Sequence, residues 1–378
     1  MNLLYRNHCV VNNKNDLELL YSINNFPVFM GCVTHPPEDD IKTNMNWYIS
    51  KSTGSIQLNP LIPLDILYKD SHDSGSVGNM WNLHHEAFSK FINKFSVTNV
   101  LEIGAGHGKL ATNYLNLQPN TKWTIVEPNP KIKSTKQIKV IKTFFNSNFK
   151  IDNNIDAVVH SHILEHIYEP NEFIRNISNA IKIGAWHFFS VPNMKEMLKR
   201  KYTNCINFEH TIFITEQFIE YWLKKNNFKI KEKLYFLEDG SIFYATIKSD
   251  SQEHTKIISE YETNKLIYTE YIQFHTNLIS TLNNMINNFN GKIYLFGGHI
   301  FSQYLIASGL NIDNIECIID NDPNKQEKRL YGTPLIVQSP KILANKSNIA
   351  VILRTGIFNN EIKNDIINNT NPNVTFWE

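Results

Sequence analysis

Cysteine is scarce. The 378 residues hold four, Cys9, Cys32, Cys205 and Cys317, too scattered to form a disulfide framework. A charge excess is also lacking: 37 Lys and Arg stand against 36 Asp and Glu. Such a balance argues against nucleic acid held by counterion release, and leaves room only for a local basic patch. No apolar run approaches the roughly 18 residues of a membrane span. Residues 1–13 show neither the apolar core nor the small-residue cleavage site of a secretory signal. These absences lead to the expectation of a cytoplasmic protein without nucleic-acid or membrane partners. The length exceeds one compact core and suits two or three domains.

What is present is organised around one stretch. Asn99 to Ile103 reads as a buried parallel strand, apolar but for Glu102 near its end. Gly104, Gly106 and Gly108 follow, and then an apolar helix pattern through Leu110, Ala111, Tyr114 and Leu115. A dinucleotide fold places its glycines as G-x-G-x-x-G. Here the spacing is E-x-G-x-G-x-G, with Lys109 where the last dinucleotide glycine would stand. Glu102 suits a cationic ligand better than a pyrophosphate. A second short apolar strand, Trp123 to Val126, ends on Glu127. That acid lies about twenty residues beyond the last glycine, where it can accept ribose hydroxyls. Glu102, Gly104, Ala105, Gly106, Gly108 and Glu127 are the candidate cofactor residues, joined by His162 from a later loop. The motif resembles motif I of class I S-adenosylmethionine (SAM) methyltransferases, which implies that the loop carries the amino-acid moiety of SAM.

Around this centre the chain divides. Residues 1–90 read as a ribbon-like unit and a linking helix, with Trp81, His84, His85, Phe88 and Phe91 at helical spacing. Residues 91–248 alternate strands and helices, which predicts a mostly parallel sheet covered on both faces. Its third strand is Ile155 to His160, its fourth Trp186 to Val191, and Lys229 to Tyr235 with Ser241 to Lys248 close it. Residues 249–290 read as a helical connector. Residues 291–378 repeat the plan of strand, Gly297-Gly298 turn, helix and strand ending in Asp320, a second Rossmann-like α/β unit. The expected class is therefore α/β, with a central methyltransferase-type sheet between a small ribbon-like domain and a C-terminal Rossmann-like domain.

His72, His162, Glu165, His166, Glu209 and His210 fall on loops that should converge at the strand ends. Methyl transfer needs a nucleophile aligned with the methyl carbon, and a base if that nucleophile carries a proton. Imidazole suits the base, and a neighbouring carboxylate steadies it. The whole layout resembles the three-domain sugar C-methyltransferases of nucleotide-activated deoxysugar pathways. The matching pieces are Gly54 and Gln57, the His72-x-Ser-Gly75 loop, Leu101 to Gly108 and Leu164-Glu-His166. Glu209-His210, Asp320 to Lys325 and Gly332-Thr-Pro334 complete the set. The resemblance implies that His210 removes a proton alpha to a 4-keto group, with His72, His166 and Glu209 around a nucleotide-linked sugar and SAM as methyl donor. It leaves O- or N-methylation of a sugar or another small metabolite, or a silent scaffold, as alternatives, in a monomer or homodimer. Three of the family's four zinc positions are here Asn12, Ser50 and Thr53, and only Cys9 is retained, so no metal is carried over. Tyrosines expected beside the two histidine motifs are Asp70 and Asn207.

Overall fold

The computed structural model describes residues 1–68, 79–150, 152, 154–237, 240–250 and 256–378. The N-terminal layer is an antiparallel sheet of β1 (Leu17–Pro27), β3 (Lys42–Ser50) and β4 (Ile56–Leu58), in the order β1-β3-β4. Along β3 the residues alternate, and Met45, Trp47 and Ile49 turn into the core. A short strand β2 (Cys32–Val33) and a helical turn α1 (Leu64–Leu67) flank the sheet. Cys9 Sγ lies 3.3 Å from both Thr53 Oγ1 and Ser55 Oγ, so these positions are joined by hydrogen bonds. Asn12 Nδ2 donates to Ser52 Oγ at 2.8 Å, and Ser50 Oγ donates to Asp16 at 2.9 Å.

The central layer opens with α2 (Asn79–Ile92), β5 (Asn99–Ile103), α3 (Lys109–Leu117), β6 (Lys122–Val126), β7 (Ile138–Ile141) and β8 (Ala157–Ser161). It continues through α4 (Pro170–Ala180), β9 (Trp186–Pro192), α5 (Met194–Lys199), α6 (Glu216–Lys225), β10 (Phe228–Phe236) and β11 (Ser241–Lys248). The seven strands lie in the order β10-β11-β9-β8-β5-β6-β7. Neighbours from β9 to β7 are parallel, and β11 runs antiparallel to both β9 and β10. The winding reverses between β5 and β8, and open α/β sheets bind ligands outside the strand ends at such a point. Helix α2 does more than link: Phe88, Phe91 and Ile92 are buried in one cluster with Phe188 and Phe243 of the sheet.

A single helix α7 (Tyr261–Asn288) fills the connector. Its first half buries Ile267, Tyr268 and Tyr271 with the N-terminal and central cores, its second half Ile279, Leu282 and Ile286 with the C-terminal core. Gly54 (φ +77°) meets its start so closely that a Cβ would fall 2.4 Å from the main chain of Glu260. The C-terminal layer holds β12 (Lys292–Phe296), α8 (Ile300–Ala307), β13 (Ile315–Ile319), β14 (Arg329–Leu330), β15 (Val337–Gln338), β16 (Ile349–Ile352), α9 (Asn359–Asn369) and β17 (Thr375–Trp377). Five of these strands form a parallel sheet in the order β15-β13-β12-β16-β17. The sixth, β14, pairs antiparallel with β2 and ties this layer to the N-terminal one. Arg329 clamps Asp40 across the same seam at 2.6 and 2.8 Å. Among the described residues no helix is long and apolar enough to cross a membrane.

Candidate active site

The glycine loop leaves β5 with all three glycines left-handed, at φ +72°, +51° and +67° for Gly104, Gly106 and Gly108. L-residues with a Cβ resist this conformation by roughly 1–2 kcal/mol each. A Cβ at Gly104 or Gly108 would also strike Ile163 or Ile132 at 2.3 and 2.5 Å, whereas Gly106 faces open space. The Gly106 N–H donates to Glu127 Oε2 at 3.2 Å, and Asn129 N–H to Glu127 Oε1 at 2.9 Å. The second strand's carboxylate is thus drawn beside the loop. Glu102 is buried at the strand end, 3% exposed, with Oε2 accepting the Trp123 indole N–H at 2.8 Å. Burial pushes its carboxyl up to about 7 despite that bond, and nearby Glu127 adds to the rise. A cationic group brought next to Glu102 would favour its ionised form. Ala105 is half-buried between Gly104 and Gly106.

His162 turns the chain out of β8 with φ +53°. Its N–H donates to Ser190 O at 2.9 Å, carrying the β8–β9 ladder one step further. Its ring is 2.9 Å from Ser241 Oγ through Nε2 and 3.2 Å from Glu165 Oε1 through Nδ1. Trp81 and His84 of α2 stand edge-on to it at 5.0 and 5.1 Å between ring centres. His84, one of the residues at helical spacing in the linking segment, is buried and contacts Phe236 and Phe243. Its Nε2 lies 3.3 Å from Ser190 Oγ, which is 2.8 Å from Ser161 Oγ. Neither serine stood out in the sequence.

The acceptor side is built by two loops. After His162 a 3-10 turn, Leu164–His166, buries Glu165 completely. The second loop carries Glu209 and His210, and Asn207 shapes it: its Oδ1 accepts the N–H groups of Glu209 and His210 at 2.9 and 2.8 Å. This side-chain-made turn explains how Asn serves here, where a tyrosine was expected. Asn207 Nδ2 donates to Asn204 O at 3.0 Å. His166 Nδ1 is 3.1 Å from the Glu209 carbonyl and 3.8 Å from Glu209 Oε2. His210 Nδ1 is 3.0 Å from the Cys205 carbonyl, and the two imidazole rings lie 5.2 Å apart. The structure therefore brings together His162, Glu165, His166, Glu209 and His210. His72 lies outside the described residues, as does Asp70.

The environments push these groups apart. Burial raises Glu209 to about 8 and lowers His166 to about 4. Burial would also raise Glu165, but His162, then His166 and His210, hold it below the usual carboxylate range. His210 is lowered by burial. A carboxyl that keeps its proton beside imidazoles that lack theirs is an arrangement for proton transfer.

Both outer layers reach this pocket. Arg6, one of many basic residues by sequence, is buried and donates to the carbonyls of Tyr168, Leu58 and Thr211 at 2.6, 3.3 and 2.8 Å. Burial lowers its guanidinium to about 10, and it remains charged at neutral pH. From the other side Thr203 donates to Arg354 O at 3.4 Å, and Tyr271 Oη donates to Tyr202 O at 3.1 Å. The C-terminal Gly297-Gly298 turn is engaged internally: Gly298 N–H donates to Asp320 Oδ2 at 2.7 Å, and Cys32 Sγ to Gly298 O at 3.2 Å.

Residues 80–233 match the family model of a methyltransferase domain. No curated protein matches the chain. Similar solved structures include the N-methyltransferase NodS from Bradyrhizobium japonicum WM9, 14% identical, over 45% of this chain and 97% of that one, with a TM-score of 0.35. A putative O-methyltransferase from Nostoc punctiforme PCC 73102 is 14% identical over 45% and 57%, with a TM-score of 0.38. The plantazolicin methyltransferase BpumL, solved with S-adenosylhomocysteine, is 12% identical over 45% and 84%, at 0.35. The match runs from α2 into β10 of the central layer, the part of the chain that carries the glycine loop for which SAM is the expected ligand. The residues fit that group: three left-handed glycines, the open space at Gly106 and two carboxylates at adjoining strand ends.

Proposed function

We propose that this SAM-dependent methyltransferase acts on a nucleotide-linked keto sugar, adding the methyl to carbon through a base-generated enolate. The observation that carries the reading is the state of His210. Its Nδ1 sits on the Cys205 carbonyl, which can only accept, so Nδ1 holds the proton and Nε2 keeps a bare lone pair. Asn207 Nδ2, 3.2 Å from the same Nδ1, gives one of its two hydrogens to the Asn204 carbonyl at 3.0 Å. His210 is thereby held as a base.

Glu102, the loop from Gly104 to Gly108 and Glu127 hold SAM, with His162 at its edge. SAM supplies an electrophilic methyl group. His210 takes the proton alpha to the sugar ketone. Glu209, buried and protonated, can donate toward the developing enolate oxygen. His166 and Glu165 fix the floor beneath them. Arg354 has no ion-pair partner among the described residues and precedes the Gly356 turn against Tyr202. It is the candidate contact for the nucleotide's diphosphate, in place of the internally engaged Gly297-Gly298 turn.

The test is incubation with carbon-labelled SAM and a panel of nucleotide-linked keto sugars, read by mass and carbon NMR. Label on a ring carbon supports the reading. Label on oxygen or nitrogen rejects the carbon chemistry and keeps the cofactor. Tight SAM binding with no turnover on any acceptor favours a silent scaffold.

A further inference from the structure

One set of donors in the acceptor pocket is not explained by proton transfer alone. Glu165, His166 and His210 each place one ligand-type atom within 4.8 Å of the other two. His166 Nδ1 and His210 Nδ1 both sit on main-chain carbonyls, at 3.1 and 3.0 Å, so both rings carry the proton on Nδ1. Both Nε2 lone pairs are therefore bare. The one on His166 faces Glu165 Oε1 at 3.8 Å. That carboxylate is fully buried. His162 Nδ1 stands 3.2 Å from Oε1 and helps to hold the carboxylate ionised, while Oε2 has no partner among the described residues. Acceptors are thus turned toward acceptors, an arrangement that a cation resolves.

We propose that Glu165, His166 and His210 bind one zinc ion in the acceptor pocket, and that the bound ion inhibits methylation. Two imidazoles and one carboxylate are a donor set of the kind zinc accepts, with the fourth position open. Histidine ligands to metals commonly donate their other N–H to a main-chain carbonyl, as both do here. Bonds of about 2.0–2.1 Å place tetrahedral ligands about 3.3 Å apart, so donors within 4.8 Å of one another close by up to about 1.5 Å. Inhibition follows because the ion takes the Nε2 lone pair of His210. This second half rests on the assignment of His210 as base; the binding site does not.

The experiment uses the full chain, stripped with chelator, and zinc chloride alone as probe. Calorimetry should find one equivalent bound at micromolar affinity or tighter, and cobalt should give the visible bands of a tetrahedral site. Glu165→Gln should weaken zinc by more than about 100-fold, since losing a ligand costs more than the roughly 10–100-fold of losing a partner behind one, with SAM affinity unchanged. His166→Asn is the second variant should the first fail to fold. Zinc should suppress turnover stoichiometrically and chelator should restore it. Binding weaker than millimolar, or zinc that survives both changes and is lost with Cys9→Ser, overturns the site. Binding at these residues without inhibition overturns the second half, and with it the base role of His210, while the site stands.

Discussion

Glu102→Gln should make the protein more stable and a poorer SAM binder. Glu102 ionises near 4.5 in an unfolded chain and is pushed up to about 7 in the fold. Between those values the folded state holds one proton more than the unfolded state. Stability must then fall as pH rises from about 4.5 to about 7, and level off above. At 1.36 kcal/mol per pH unit, the loss is at most about 3 kcal/mol. Gln keeps a carbonyl oxygen for the Trp123 indole N–H and has no charge to bury. The variant should therefore match wild type near pH 4.5 and exceed it by up to about 3 kcal/mol at pH 8. For a domain of this size that is roughly 6–12 °C in Tm. Calorimetry of both proteins without SAM, in half-unit steps from pH 4.5 to 8, reads the gap directly. SAM affinity should move the other way, because an ionised carboxylate at that strand end favours the cationic amino group. Wild-type affinity should rise as pH passes through 7, and the variant should lack that rise. Parallel stability profiles across the range would refute the argument, since they would mean that Glu102 ionises alike in the folded and unfolded chain.

Three further outcomes follow. His210→Ala should reduce turnover by about a hundredfold to ten-thousandfold and leave calorimetric SAM affinity unchanged; near-wild-type turnover at unchanged melting temperature would remove it from the mechanism. Gly106→Ala should lose roughly 1–2 kcal/mol of stability from its left-handed backbone alone, since nothing crowds its Cβ, yet weaken SAM more than tenfold in a binding titration. Arg6→Ala removes a buried donor from three main-chain carbonyls, of which that of Thr211 keeps the Leu58 N–H; at about 1–3 kcal/mol for each buried group left unsatisfied, denaturation should show the loss, and single-turnover assays should show slower transfer at unchanged SAM affinity.

The cofactor half of the site was legible because its signals are local. The strand at Asn99–Ile103, the glycine spacing and the acid at Glu127 lie within one strand-turn-helix-strand unit, and each residue's role depends on near neighbours in the chain. The strands around Val158 and Phe188 and the closing pair were legible as apolar runs. Strand β7 was not, since Ile138–Ile141 is four residues at the sheet edge in a lysine-rich stretch. The single helix α7 could not be told from a pair because its apolar side changes partner halfway, from one core to another. Arg6 was invisible for a different reason: its carbonyl partners lie up to 205 residues away, and nothing near it in sequence distinguishes it. Asn207 was legible only as a departure from tyrosine, while its turn-making bonds are a property of the folded loop.

These differences have one physical origin. The methyltransferase-domain match spans residues 80–233, and it includes both the glycine loop and the His210 loop. Yet the two loops are held differently. The glycine loop is fixed by its own strands. The loop that carries His210 is pinned from outside the matched domain: Arg6 takes the Thr211 carbonyl on one side, and on the other the Gly356 turn sits so close that a Cβ there would fall 3.1–3.3 Å from the Tyr202 ring. The segment between, 203–211, carries Cys205, Asn207, Glu209 and His210, so the base's orientation depends on both flanking layers remaining docked. A central domain cut free of them would keep the glycine loop and its two strands but lose the outside contacts that pin the loop carrying His210. Cofactor binding and acceptor chemistry are therefore separable in this chain, and changes at the Arg329–Asp40 seam or at Arg6 should act on the second without touching the first.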